Sequence, residues 1–211
     1  MRKVVFAAVA LAALLGGSAA FADTVILSDN FDADAPAMLN WTGDATFVPT
    51  SPPGSVDLIG SPPPFYDLLP GHGYYVDLDG TTGSGNNPAG QLSSVMTVGP
   101  GAYKLTFDLA GNNRGYPSQT TTVGLGDFST SLTPVNTSGF TTETYWFKTS
   151  TAGQLVFTDL GPSNQQGNLL DNITLASVPE PATWGMMIIG LMGIGATLRG
   201  RRKDQVSAIT A

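Results

Sequence analysis

Four acids or amides crowd the six residues from 29 to 34, namely Asp29, Asn30, Asp32 and Asp34. Such a cluster offers the oxygen ligands that Ca²⁺ prefers, about six to eight of them. An EF-hand does not fit: counted from Asn30, oxygens stand at positions one, three and five, but Ala35 replaces the turn glycine and Trp41 stands where a bidentate Glu belongs. The candidate is a structural Ca²⁺ held by some of Asp29, Asp32 and Asp171, against the blander reading of solvated acids at a strand end. Asp77 and Asp79 alternate with Val76 and Leu78, which predicts both carboxylates on a wet face. Paired carboxylates also run glycoside hydrolysis. Here nothing signals an apolar pocket that would raise one pKa, and Glu143 is the only Glu between 23 and 178. His72 is the only histidine, set in a Pro-Gly-His-Gly turn, so Ser-His-Asp catalysis lacks its surroundings. No Cys is present, which removes thiol nucleophiles, disulfides and Cys-ligated zinc. The expectation is no catalytic residue and no enzyme.

Asn112, Asn113 and Arg114 follow the best strand pattern in a glycine-bounded loop, and their amide and guanidinium donors suit reading the hydroxyls of a sugar. Trp41, Trp146 and Tyr116 are candidate stacking platforms. Loop asparagines equally shape turns, and Trp146 equally covers a sheet edge.

The elements that must carry these residues are strands. Charged residues make up only 12% of the chain, against 26 Gly and 15 Pro, a balance that favours short strands and turns over helices. In 103–109 every odd position is apolar and every even one polar, the signature of a strand with one wet face. Similar patterns predict strands at 24–28, 46–48, 74–78, 91–98, 120–125, 128–132, 142–148, 154–158 and 169–175, and an edge strand or extended excursion at 56–59 between two proline-rich loops. The fold class expected is all-β, an antiparallel jelly-roll sandwich over 23–177.

The ends differ in kind. Arg2 and Lys3 precede the apolar run 4–15, and Ala20 and Ala22 flank a small-x-small cleavage site that places the mature start at Asp23, so 1–22 reads as a signal peptide helix removed by signal peptidase. At the other end, Val178, Pro179, Glu180 and Pro181 lead into an apolar segment at 182–198. As a helix it would measure about 26 Å, enough to span a bilayer core. Arg199, Arg201, Arg202 and Lys203 follow as a stop-transfer cluster, leaving 204–211 as a cytoplasmic tail and the body outside.

Val-Pro-Glu-Pro, a short span and an Arg-rich end, over 178–203, resemble the PEP-CTERM sorting signal of exosortase-dependent bacterial surface proteins. Residues 75–80, 101–115 and 167–175 are similar to the ectodomain common among those proteins, which looks like the galactose-binding-like jelly roll. The resemblance implies a Gram-negative producer of exopolysaccharide, transient anchoring in the inner membrane, exosortase acting near Glu180, and a final place on the cell surface or outside it. The segment 23–178 sets Lys104, Arg114 and Lys148 against fourteen acids, a net charge of −11. That disfavours nucleic acid, whose phosphates need clustered cations. The expectation is therefore a non-enzymatic, exosortase-sorted protein of the surface or biofilm matrix, associated with exopolysaccharide. Its alternative is a lectin-like module with structural calcium. A secreted hydrolase ranks below both, as does ice binding, because the threonines form no regular repeat.

Overall fold

Two antiparallel sheets face each other across one hydrophobic core in the computed structural model, which describes residues 23–50, 54–60, 66–81, 89–162, 164–178, 190 and 192–194. The expected signal peptide, residues 179–181 and the basic cluster lie outside the described residues. Of the expected span, only 190 and 192–194 are described, and they are helical. No helix among the described residues is long and apolar enough to cross a membrane.

Among the described residues, eleven strands follow in chain order: β1 (Thr24–Asp29), β2 (Phe47–Pro49), β3 (Asp57–Gly60), β4 (Tyr74–Asp77), β5 (Gln91–Ser94), β6 (Gly101–Ala110), β7 (Thr121–Leu125), β8 (Phe128–Leu132), β9 (Thr141–Thr149), β10 (Leu155–Asp159) and β11 (Leu169–Ser177). A 3-10 turn occupies Asp32–Asp34. One sheet runs β3-β4-β11-β6-β9, with β1 also on β11, and the other runs β2-β5-β10-β7-β8. The all-β antiparallel sandwich expected from the alternation is the observed fold.

The pattern of β6 explains the core. Tyr103, Leu105, Phe107 and Leu109 point inward and are buried, while the residues between them face out. Phe107 meets Phe157 of the opposite sheet edge to face at 5.2 Å, and Phe157 meets Phe47 at 6.4 Å, a geometry that aligns ring edges with ring faces. Strand β11 is the hinge of the layout. One of its edges pairs with β6 at 169–171 and again at 174–177, and the other is shared between β4 at 169–170 and β1 at 173–177. The changeover falls at Asp171 and Asn172, where the register shifts and Asn172 takes a left-handed φ of 50°.

Two expectations are corrected here. The strand predicted over 91–98 stops at Ser94, because Ser94 Oγ turns back to donate to the Met96 carbonyl and Val98 forms only an isolated bridge with Gly153. Asp77 and Asp79 are not on a wet face: they are 1% and 2% exposed. A second, smaller core of Ile59, Tyr75, Ala110 and Leu169, covered by Leu68, Leu69 and Phe140, closes the outer side of β3 and β4. The Tyr75 hydroxyl accepts from the Leu68 and Leu69 amides at 2.7 and 2.9 Å, pinning that cover. The segment predicted as an edge strand or extended excursion, β3, lies at a sheet edge.

Candidate functional site

Burying Asp57 and Asp77 on a covered sheet face requires a partner for each charge. Asp57 accepts from the Asn40 and Thr81 amides and from the Thr81 hydroxyl, at 2.6, 3.0 and 2.6 Å. Asp77 Oδ1 accepts from the Asp79 amide at 3.0 Å, and its Oδ2 takes a charge-assisted bond from Arg114 Nη2. Burial pushes the Asp77 carboxyl up to about 7, with Arg114 and the Asp79 amide pulling the other way. Asp79 is also raised by burial and accepts from the Asn164 and Gln166 amides at 2.7 and 3.2 Å. Gly167 permits this close seating, since a Cβ there would stand 2.3 Å from the Asp79 nitrogen and 2.7 Å from Asp77 Oδ1. Both carboxylates that resembled a hydrolase pair are thus bound into structure.

The three residues of the predicted ligand loop divide by role. Asn112 is fully buried, accepts from the Arg114 amide at 3.0 Å and donates to the Pro117 carbonyl at 3.2 Å. Asn113, at φ 52°, donates to the Gly111 and Ser138 carbonyls, both at 2.9 Å. Both asparagines shape the loop, as Asn does in turns. Arg114 is the one that faces a cleft, clamped by Nη1 on the Gln165 carbonyl at 2.7 Å and by Nε on the Asn112 carbonyl at 3.3 Å. That cleft, about 250 Å³, is lined by Arg114, Asp77, Thr81, Asn164, Gln166 and Tyr66 among others, with Tyr66 65% exposed. Tyr66 carried no signal in the sequence beyond being an aromatic in a proline-rich loop.

A second constellation gathers at the other end of β4. Ligand oxygens of Asp29, Asp34 and Asp44 lie within 4.8 Å of one another. Asp29 Oδ2 and Asp34 Oδ2 are buried without a hydrogen-bond partner. Burial raises Asp29 to about 6, with Asp44 and Asp34 adding repulsion, and raises Asp34 in the same direction. Three carboxylates with two orphaned oxygens fit a hard divalent cation, which would supply the missing counter-charge. Of the predicted set, Asp29 is a member. Asp171 is 1% exposed and pushed up to about 7 by burial, with repulsion from Asp108, Asp32 and Asp29, so it is a neighbour of the group. Asp32 instead ties the 3-10 turn to β4, accepting from the Tyr74 amide at 2.9 Å. Asp44 was missed because nine residues of irregular chain separate it from Asp34.

The predicted platforms also separate. Trp41 is 4% exposed and packs edge to face on Phe31 at 5.8 Å, which corrects its reading as a stacking surface. Trp146 is 61% and Tyr116 44% exposed. His72 is exposed in its turn, its ring 4.9 Å from that of Phe140.

Comparison with known proteins adds two findings. Residues 177–203 match the PEP-CTERM protein-sorting motif, which directs export and exosortase-dependent sorting toward the cell surface. Among solved structures, the chain is similar to the K3 cleaved adhesin domain of Lys-gingipain from Porphyromonas gingivalis, with a TM-score of 0.52 and 15% identity over 74% of this chain and 100% of that one. Similarity extends to the CBM22-1 xylan-binding domain of Paenibacillus barcinonensis Xyn10C (TM-score 0.45, 13% identity, 75% and 97% covered). The C-terminal CBM6 of a Zobellia galactanivorans laminarinase is a third such structure (TM-score 0.40, 14% identity, 72% and 98% covered). At these identities the likeness is one of fold. No curated protein matches the chain.

Proposed function

We propose that this chain is a non-enzymatic surface or matrix protein of a Gram-negative bacterium, whose β-sandwich body associates with extracellular polysaccharide once the sorting tail has done its work. In this reading signal peptidase cuts after Ala22, the segment 182–198 holds the body at the inner membrane with Arg199, Arg201, Arg202 and Lys203 inside, and exosortase acts at Val178-Pro179-Glu180-Pro181. The observation that carries it is the sorting motif at 177–203, joined to a body whose candidate dyad, Asp77 and Asp79, is committed to Arg114 and backbone amides.

The cleft beside Arg114 suits a sugar. Thr81, Asn164 and Gln166 offer hydroxyl and amide groups that both donate and accept, and Tyr66 offers a ring at the margin. Asn112 and Asn113 contribute by holding Arg114 in place. A lectin-like variant adds a structural Ca²⁺ at Asp29, Asp34 and Asp44, with Asp32 and Asp171 close by, and the orphaned oxygens of Asp29 and Asp34 favour it. The test is retention of the full-length protein, in detergent, by the producer's exopolysaccharide, with and without EDTA and competing monosaccharides. Saturable retention supports the reading, and competition by one sugar supports the lectin variant. Absence of retention refutes both.

A further inference from the structure

The outer face of the six-stranded sheet holds a second surface, separate from the Arg114 cleft. Along β9, Thr142, Thr144, Trp146 and Lys148 alternate outward and are exposed. Lys104 of β6 stands opposite Trp146 in register, its ammonium 5.0 Å from the ring centroid. With Lys104 against the ring, Trp146 is still 61% exposed, so much of the ring is open to solvent. Lys148 lies one outward position further along the same strand.

Charge singles this face out. The body has three cations in all, and two of them, Lys104 and Lys148, stand beside Trp146. Next to them the register aligns Ser28, Thr174, Thr106 and Thr144 in one row across β1, β11, β6 and β9. At about 4.8 Å between strands the row is about 14 Å long, and it lies about 7 Å from the Trp146 position. The Ser28 and Thr174 hydroxyls are already 3.0 Å apart. Asp108, the acid in the adjoining row, is engaged by Thr142 at 2.5 Å and Asn172 at 2.9 Å.

We propose that this face binds an acidic polysaccharide, a uronic-acid-bearing chain lying across the strands. One sugar stacks on the exposed ring of Trp146, its hydroxyls and those of its neighbours exchange hydrogen bonds with the Ser28 to Thr144 row, and carboxylates meet Lys104 and Lys148. The aromatic ring supplies the apolar contact and the lysines supply charge-assisted bonds. On a body of net charge −11 an anionic polymer is repelled elsewhere, so the two lysines also fix where it lands. The inference rests on the reading that the body associates with polysaccharide, and adds the surface and the chemical class.

The test measures binding of full-length protein in detergent to polygalacturonate, to the same polymer with its carboxyls reduced, and to vesicles containing anionic phospholipid. Trp146→Ala and the double variant Lys104→Gln, Lys148→Gln are compared with Leu160→Ala at an exposed position after β10 of the other sheet, and unchanged melting temperatures establish that all are folded. The expected result is that Trp146→Ala and the double variant each weaken polygalacturonate binding roughly tenfold or more, as loss of a central anchor does. Leu160→Ala leaves it unchanged, and the carboxyl-reduced polymer binds at least roughly tenfold more weakly. Equal binding of the reduced polymer, an unaffected Trp146→Ala, or binding of vesicles in place of the polymer overturns the proposal. Should the producer's exopolysaccharide still bind Trp146→Ala at full strength, this surface assignment falls and the wider reading stands. Should no polysaccharide bind at all, both fall.

Discussion

Replacing Arg114 by Met keeps most of the side chain's length and removes the charge that faces Asp77. Asp77 is 1% exposed and Arg114 is its only ion-pair partner among the described residues. Breaking such a pair by deleting one member leaves an uncompensated buried charge, which costs about 3 kcal/mol or more. For a domain of this size each kcal/mol lowers the melting temperature by about 2–4 °C, so the expected drop is about 6–12 °C at pH 8. The pH dependence identifies the cause. The folded Asp77 carboxyl titrates near 7, above its ordinary 3.8, so at pH 5 it is protonated in the fold and Arg114 has little charge to neutralise. The penalty should therefore shrink by up to about 1.4 kcal/mol at pH 5, the linkage available between pH 8 and a folded carboxyl near 7, leaving the lost packing and the hydrogen bonds to Asn112 and Gln165. The assay is calorimetric melting of parent, Arg114→Met, Asp77→Asn and the double variant. The double variant should lose clearly less than the two single losses added together. Losses at pH 8 and pH 5 that agree within error, or additive single losses, would refute the argument that a buried charge is what Arg114 satisfies.

Other outcomes follow from the same structure. Trp41→Ala should cost about 3–5 kcal/mol, because it empties the space beside Phe31, whereas Trp146→Ala on the exposed face should cost under about 0.5 kcal/mol in urea unfolding. In EDTA, stability should decline as pH rises from about 4 through 7. Asp29 at about 6, and Asp159 and Asp171 at about 7, all hold protons in the fold that the unfolded chain has released, so the folded state gains from acid. A melting temperature that rises over that range contradicts this. Ca²⁺ at about 100 times its dissociation constant should add about 2.7 kcal/mol, read as a higher melting temperature that EDTA reverses and Asp44→Asn abolishes. Replacing Pro179, Glu180 and Pro181 together by Ala should leave the chain in the membrane fraction of the producer, followed by immunoblot of fractionated cells.

Much of the sandwich could be read from alternation alone. Residues 103–109 announced a strand with one wet face, and β6 is that strand, extended by a few residues at its ends. The same rule misplaced Asp77 and Asp79, because it assumes that only one face is covered. The signal for a doubly covered strand was present: Leu58-Ile59 and Tyr75-Val76 put apolar residues at both parities, which a one-sided sheet does not need. The asparagines of the 112–114 loop were legible as donors, but their partners, the Ser138 and Pro117 carbonyls, are set by the return of distant or irregular chain. Asp44 joins Asp29 and Asp34 by the same kind of tertiary return, which no spacing in the sequence encodes. The exposed Trp146 and buried Trp41 were equivalent as letters and are separated by context: one lies outward on an edge strand, the other under the 3-10 turn that follows β1.

Contact between the body and polysaccharide is the property to measure first. Full-length protein in detergent, titrated onto immobilised exopolysaccharide from the producing bacterium, should be retained saturably and released by the soluble polymer. Retention no greater than that of a detergent-solubilised protein carrying the same tail behind an unrelated body would contradict it.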